Sequence, residues 1–455
     1  MTLNEMIYQK YILPTERKAG DFIGAEFEFP LLNLEKKPVN IPEVQNIIRN
    51  FADFFNFTEQ KKDENQNLYS ITNPENNDNL SFDCSYNTLE LSFGKEKNIN
   101  ILNQRFQKYF SFLQNHLQAS GHLLTGMGIN PYYPYAVYQP VANDRYRMLY
   151  HHLQAYREYG DVFYHDIPYF GMMATASQVQ LDVQKEDILS FLHVFNLLEP
   201  FKAILFANSC CDKLPDRVIA RDYLWRYSSQ GYNPHNLGMY ETEFQNLDEY
   251  LAYIGTQSIY CVQKEEKYLH FKPVILENYI HLDSVTGNYF SSGTWKEYTF
   301  KPEIQDIAHH RSFKFADLTY RGTIEFRSAC EQPVSEIFTH AAFHAGLAKK
   351  TDALAEILDS DTVLYHHGYN ASELRELFTY RSLPAFVNKK QLSAVLLQIL
   401  ELARTGLTER GYQEEKFLEP LFKRAEQLTN PAQEFLHGIE QGDSLEAWIS
   451  KYAAL

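Results

Sequence analysis

Cysteine is scarce in this chain: Cys84, Cys210, Cys211, Cys261 and Cys330 are all that 455 residues hold. An odd number without paired metal-ligand spacing excludes a disulfide framework or a structural zinc site, and predicts free thiols in a reducing compartment. Basic residues are few beside acidic ones, 42 Lys and Arg against 58 Asp and Glu, for a net charge of -16. A surface of that sign repels nucleic acid and anionic membranes, and no local basic patch offsets it. No apolar stretch reaches signal-peptide length at the N-terminus, and none elsewhere is long enough to span a bilayer. The protein is expected in the cytoplasm, with no nucleic-acid or membrane partner. The chain also lacks internal repeats, low-complexity tracts and any H-E-x-x-H histidine pair. His151-His152 and His309-His310 are adjacent pairs whose side chains diverge on a helix or a strand, so a metallohydrolase is disfavoured.

Hydrophobic residues make up 44% of the chain and aromatics 15%, enough to bury a sizeable core. Acidity does not exclude nucleotides, because phosphates can be met through divalent cations held by carboxylates. Residues 1–20 read as a short amphipathic helix and a turn at Pro14. Periodicity then predicts a strand near 21–30, a helix near 42–56, a hairpin near 67–93 turning at 73–79, and a helix near 98–119. A strand near 122–130, a helix near 143–157, a strand near 171–183, a helix near 185–207 and a strand near 320–328 follow. Residues 228–319, rich in Tyr, Asn and Gly, read as an irregular insertion over a core at about 20–333, and residues 334–455 as mostly helical. Hairpins and helices without steady βα alternation favour an α+β fold over a doubly wound sheet.

Four of the predicted strands share one kind of face, since alternate side chains of a strand point to opposite sides. In the first, Ile23, Ala25, Phe27 and Phe29 oppose Gly24, Glu26 and Glu28; in the second, Leu89, Leu91 and Phe93 oppose Thr88, Glu90 and Ser92. In the third, Val179 and Leu181 oppose Gln178 and Gln180; in the fourth, Ile324 and Phe326 oppose Arg321, Thr323, Glu325 and Arg327. A single polar face of this kind is commonly just solvated. Here Glu26, Glu28, Glu90 and Glu325 recur with no lysine among them, although lysine usually blunts exposed strands. Crowded carboxylates repel unless cations compensate them, and Mg2+ both suits hard oxygen ligands and bridges carboxylates to nucleotide phosphates. Arg321 and Arg327 then stand ready to meet phosphate or carboxylate oxygens bidentately; the competing reading makes them salt-bridge partners of Glu325. Asp83 has the wrong parity to join Glu90 unless a bend, for which Ser85-Tyr86-Asn87 is available, intervenes.

Several separated segments together resemble the glutamate–cysteine ligase family, in particular its plant and proteobacterial branch within the glutamine synthetase-like superfamily. Gly24-Ala25-Glu26-Phe27-Glu28 is similar to the family's opening G-x-E-x-E strand, and Asp83 with Glu90 to the carboxylate pair that follows it. Gly126, Gly128 and Pro131 resemble a G-x-G-x-x-P turn, and Thr175 to Asp182 a T-x-T-x-V-x-L-D strand. Ala207-Asn208-Ser209 with Arg221 and Trp225, then Ile324-Glu325-Phe326-Arg327, and lastly residues 403–418, continue the likeness, which spans roughly 20–430 with a gap in the middle.

The resemblance implies a curved, mainly antiparallel sheet of about six strands forming an active-site funnel, backed by helices, in one catalytic domain over 1–455. It implies an ATP-dependent reaction with Mg2+ or Mn2+, in which glutamate becomes γ-glutamyl phosphate and an amine displaces phosphate. Glutamate and cysteine are the implied substrates, as in the first step of glutathione biosynthesis, acting on a monomer or homodimer. Carried over residue by residue, Glu26, Glu28, Asp83, Glu90 and Glu325 are metal ligands, and Arg321, Arg327, Gln178 and Gln180 contact the nucleotide. Arg327 stabilises the transferring phosphoryl group and Arg221 holds the glutamate carboxylates. Ala176, Ser177 and Cys330-Glu331-Gln332 depart from the family's pattern near the acceptor end. A different amine acceptor, or an inactive regulatory relative, therefore stays open as an alternative.

Overall fold

A computed structural model of the chain describes residues 2–160, 162–361 and 367–455. The strand with the strictest alternation, β1 (Ile23–Asn33), lies in the middle of it. Ile23, Ala25, Phe27 and Phe29 are fully buried, and the two phenylalanines pack on Phe106 and Phe110 of the helix Ile99–Ala119. The chain continues through β2 (Glu59–Lys62), β3 (Leu68–Thr72), β4 (Asn79–Phe82) and β5 (Thr88–Glu96), and then β6 (His122–Leu124) and β7 (Ser177–Asp182) pair back onto β1. After β8 (Leu237–Gly238) come β9 (Ser258–Lys264), β10 (Lys267–Ile275), β11 (Val285–Ser291) and β12 (Thr294–Phe300), a second antiparallel sheet. Finally β13 (Phe313–Lys314) pairs in parallel with β8, and β14 (Ala316–Leu318) and β15 (Thr323–Phe326) rejoin the first sheet.

The first sheet runs β14-β15-β7-β1-β5-β4-β3-β2, with β6 also on β1, and every pairing in it is antiparallel. The α+β expectation holds, with nine strands in place of about six. Pro30 has no N–H for a ladder, and it falls where β1 has left β7 at Phe27 and not yet met β6 at Leu31. One hydrophobic core joins Ile7 near the N-terminus to Ala432 in the helical C-terminal region.

Three expectations need correction. Residues 228–319 are not irregular, since they carry β8 to β14, including the whole second sheet. The hairpin between β9 and β10 turns on Glu265 and Glu266, both at positive φ, so the usual Asn-Gly signature of such turns is missing. The strand near 122–130 stops at Leu124, because Gly126 and Gly128 run against other backbone: a Cβ there would stand 2.2 Å from Gln332 O and 2.7 Å from Asn208 O. The strand near 171–183 starts only at Ser177, after a 3-10 turn at Phe170–Met172. Among the described residues no single helix is long and apolar enough to cross a membrane. The apolar pair over 185–206 is bent by 54°, and its second half, Glu199–Phe206, is buried throughout.

Candidate active site

Register decides which polar residues meet. Glu325 on β15 pairs with Gln180 on β7, which pairs with Gly24 on β1. One row on, Gln178 of β7 pairs with Glu26 of β1, and Glu26 with Ser92 of β5. In the next row Glu28 of β1 stands directly opposite Glu90 of β5. Like charges directly opposed weaken a sheet, so this row is a local cost without a counter-ion. Glu26, Glu28, Asp83, Glu90 and Glu325 all line one cavity of about 570 Å3, together with Gln178, Arg221, Arg321 and Arg327. Asp83 joins them because the bend begins at Cys84, whose φ of 56° is left-handed, one residue earlier than expected.

Burial, then the nearby Glu325, pushes the Glu26 carboxyl up to about 7. Burial, then Asp83, pushes Glu28 up to about 8. Burial holds Glu90 well above the ordinary carboxylate range, with Glu26, Asp83 and Glu28 adding to it, and burial raises Asp83 too. Neutral donors relieve part of the charge: Ala176 N and Gln178 Nε2 each donate to Glu28 at 2.7 Å, and Ser92 Oγ donates to Glu90. Arg327 Nη2 lies 2.6 Å from Glu325 Oε2 and Arg321 Nη2 3.8 Å from Glu325 Oε1.

The donors fit a hard divalent cation. Among the described residues no group of three or more His, Cys, Asp or Glu side chains is placed to hold a metal ion by itself. A closed protein cage is not what Mg2+ needs, since it normally takes one or two carboxylates, keeps waters and completes its shell with substrate phosphates. An all-oxygen donor set whose negative charge is under-compensated matches that habit. Glu26, Glu28, Asp83, Glu90 and Glu325 are the residues that would share such ions.

These carboxyls predict an inverted pH dependence of stability when divalent cations are chelated. Their folded-state values lie above the unfolded value near 4.3, so the folded protein binds the protons more tightly. The contribution is full below about pH 4 and is lost as pH rises to about 8. Melting temperature in EDTA is expected to fall across that window, and Glu28→Gln to flatten the fall; equal profiles for the two proteins would contradict the assignment.

The sequence-predicted residues do not all land alike. Gln180 is a correction: it does not line the cavity, and its amide is spent within the sheet. Its Nε2 donates to Glu26 Oε1 at 2.9 Å and to Glu325 Oε1 at 2.8 Å, while its Oε1 accepts from Arg321 Nε at 3.1 Å. It is a spacer between acids, with no donor left for a nucleotide. Arg321 lies in the turn before β15 and not on the strand, yet reaches the cavity. Arg221 Nη1 donates to Ala329 O at 3.1 Å, and the Nε atoms of Arg221 and Arg327 are buried without partners among the described residues.

Most residues behind and around the site carried no signal of their own. Arg375, on the helix Ala371–Phe378, donates to Asp222 Oδ2 at 2.8 Å, to Glu199 Oε2 at 2.7 Å and to Ser328 O at 3.3 Å. Lys202 Nζ completes the cluster, 2.6 Å from Glu199 Oε1. Asp222 follows Arg221 and Ser328 follows Arg327 in the chain, so this buried network anchors the backbone of both arginines. A buried pair of this kind is strongly destabilising to break. The second sheet and the segment after it add Tyr260, Arg311 and Asp317 to the cavity wall, and the helix Asp144–Gln154 adds Arg145, Leu149 and Leu153. Only the last three had a findable signal, their spacing of four.

No family model matches the chain. The chloroplastic glutamate–cysteine ligase of Medicago truncatula is 23% identical over 266 residues, which cover 57% of this chain and 49% of that protein. That of Nicotiana tabacum is 23% identical over 270 residues, covering 57% of this chain and 48% of its own length. The chain thus spans about half the length of the curated relatives it matches. Among solved structures, a glutamate–cysteine ligase from Francisella tularensis in complex with AMP is similar in fold, with a TM-score of 0.53 at 11% identity over 96% of this chain and 88% of that one. The chain is thus similar in sequence to glutamate–cysteine ligases over more than half its length, and similar in fold to one of them over nearly all of it.

Proposed function

We propose that the protein is an ATP- and Mg2+-dependent ligase that joins the γ-carboxylate of glutamate to an amine, with cysteine as the amine. The observation that carries the reading is the buried acidic face, where Glu26, Glu28 and Glu90 are under-compensated, bordered by guanidinium groups with unspent N–H donors. Bound Mg2+ would neutralise these carboxylates and the phosphates of ATP together. Arg321 and Arg327, beside Glu325, orient the terminal phosphate and stabilise charge spread over its oxygens as it transfers. Arg221, beside Glu28, holds glutamate by a carboxylate. The γ-carboxylate attacks the terminal phosphorus and ADP departs; the amine then attacks the acyl phosphate carbon, loses a proton, and phosphate departs. Retention of every acid and of Arg221, Arg321 and Arg327 favours this over an inactive regulatory relative.

The test is purified protein with ATP, Mg2+ and glutamate against a panel of amines, read by ADP release and product mass. Release of ADP in step with a γ-glutamyl amide, largest with cysteine, is the expected outcome. A larger product yield with another amine would reassign the acceptor, and ADP release indifferent to glutamate would overturn the reaction.

A further inference from the structure

The segment after the second sheet meets the cavity with a cationic edge. Tyr320 is 49% exposed, and the guanidinium carbons of Arg311 and Arg321 both lie over its ring, 5.5 and 5.2 Å from the centroid. All three residues line the cavity. Arg321 has Glu325 at 3.8 Å, whereas the Arg311 guanidinium makes no hydrogen bond or ion pair with the described residues. Two guanidinium groups gathered on one ring repel each other unless an anion joins them. Side-chain exposure rises from 9% at Glu325 to 25% at Arg327 and 45% at Arg321, and Arg311 is exposed too. An anion that meets both Arg327 and Arg311 therefore runs from the buried end of the site to its mouth, as a polyphosphate can.

This edge is held from behind by the first residues of the chain. The helix Leu3–Ile7 runs into a π-helical turn, Tyr8–Ile12. From that turn Lys10 Nζ donates to Ile307 O at 3.0 Å, Ala308 O at 3.2 Å and His310 O at 2.6 Å, which closes the C-terminal end of the 3-10 helix Ile304–His309 just before Arg311. The Tyr11 hydroxyl is hydrogen-bonded to His310 Nδ1 at 2.9 Å. The turn that carries Arg321 is held by the same segment. Gly322, at a φ of 73°, has no room for a Cβ, which would stand 2.5 Å from Pro14 O, and Arg17 Nη2 donates to Gly322 O at 3.4 Å. Lys10 is placed there at a cost, since burial and then the nearby Arg311 pull its ammonium down to about 7. Two cations are thus kept as neighbours, one spent on carbonyls and the other left free toward the cavity.

We propose that Arg311 joins Arg321 in gripping the outer phosphates of the nucleotide, and that Lys10 is a positioning residue that holds Arg311 at the cavity from behind. The inference rests on the ligase reading and deepens its nucleotide site. A capped 3-10 end fixes the backbone of Arg311, so less conformational freedom is lost when the phosphates arrive.

The test is the affinity of the full chain for ADP in Mg2+, measured by titration calorimetry without glutamate. Arg311→Ala is expected to weaken ADP binding about tenfold or more, the scale of losing hydrogen bonds to a charged group. Lys10→Met, of similar length, is expected to weaken it roughly threefold or more in the wild-type background and not at all on top of Arg311→Ala. If Lys10 only stabilises the fold, the melting temperature falls while ADP affinity stays, or the same factor appears in both backgrounds; either result overturns its role. Should Lys10→Met fold poorly, Tyr11→Phe, which removes only the bond to His310, is expected to weaken ADP in the same Arg311-dependent way, and an effect independent of Arg311 counts against the proposal. Unchanged ADP affinity in Arg311→Ala, or a change in KM for glutamate in its place, overturns the inference and leaves the ligase reading standing. A wild type that binds no ADP in Mg2+ would instead sink the ligase reading and this inference together.

Discussion

Replacing Arg327 with lysine is expected to lower kcat by a factor on the order of 10² or more, with a smaller change in KM for glutamate. The guanidinium sits just past β15 with Nη2 on Glu325 at 2.6 Å and its Nε buried without a partner among the described residues. Lysine keeps the ion pair with Glu325, because a point charge suffices for it. It has no second coplanar donor to follow a phosphoryl oxygen as charge is redistributed, and that loss falls on the transition state more than on bound substrate. If Arg327 serves only as the salt-bridge partner of Glu325, lysine will substitute well, and the melting temperature will fall while kcat stays near normal. Kinetics and a melting curve on this one variant separate the two roles.

Glu90→Gln is expected to abolish most turnover while stabilising the metal-free protein. Glu90 stands directly across from Glu28, and Glu26, Asp83 and Glu28 all raise its carboxyl after burial has done so. Glutamine is neutral without binding a proton, so it removes both the charge repulsion across the sheet and the proton uptake that the raised Glu90 carboxyl requires, and melting temperature in EDTA should rise. The same change withdraws a hard oxygen ligand, so the stabilisation that Mg2+ gives wild type should shrink, and kcat should fall by a factor on the order of 10² or more. A variant that melts lower than wild type in EDTA, or keeps normal Mg2+-dependent turnover, would refute the role given to this face. Chelation of wild type should by itself remove activity. Such opposed effects are the usual mark of a site whose chemistry conflicts with local stability.

The two halves of the site differ in how much of them could be read along the chain. Glu26, Glu28, Glu90 and Glu325 were visible because β-structure has a period of two: once Phe27 or Ile324 is buried, its neighbours must face the other way. Asp83 was half visible. Its parity was wrong, and only the left-handed backbone at Cys84 turns it into the cavity. Gln180 shows the converse limit, since alternation places it on the polar side but says nothing of its partners. Those are Glu26 and Glu325, 154 and 145 residues away, and they consume its amide.

The second sheet was hidden for a local reason, that Glu265-Glu266 makes a turn ordinarily written with Asn and Gly. Arg375 was hidden for a different one. Nothing within several residues marks it, and it meets Glu199 across 176 positions of sequence. Read along the chain, period and polarity reveal the four strands of the acidic face, their buried sides and the acids that ride opposite, because these are properties of neighbours in sequence. Register, which set Glu28 opposite Glu90, and the docking of helices and the second sheet around that face came from the tertiary structure alone. Those depend on contacts between distant segments, whose free energy is gained only when the whole core packs at once.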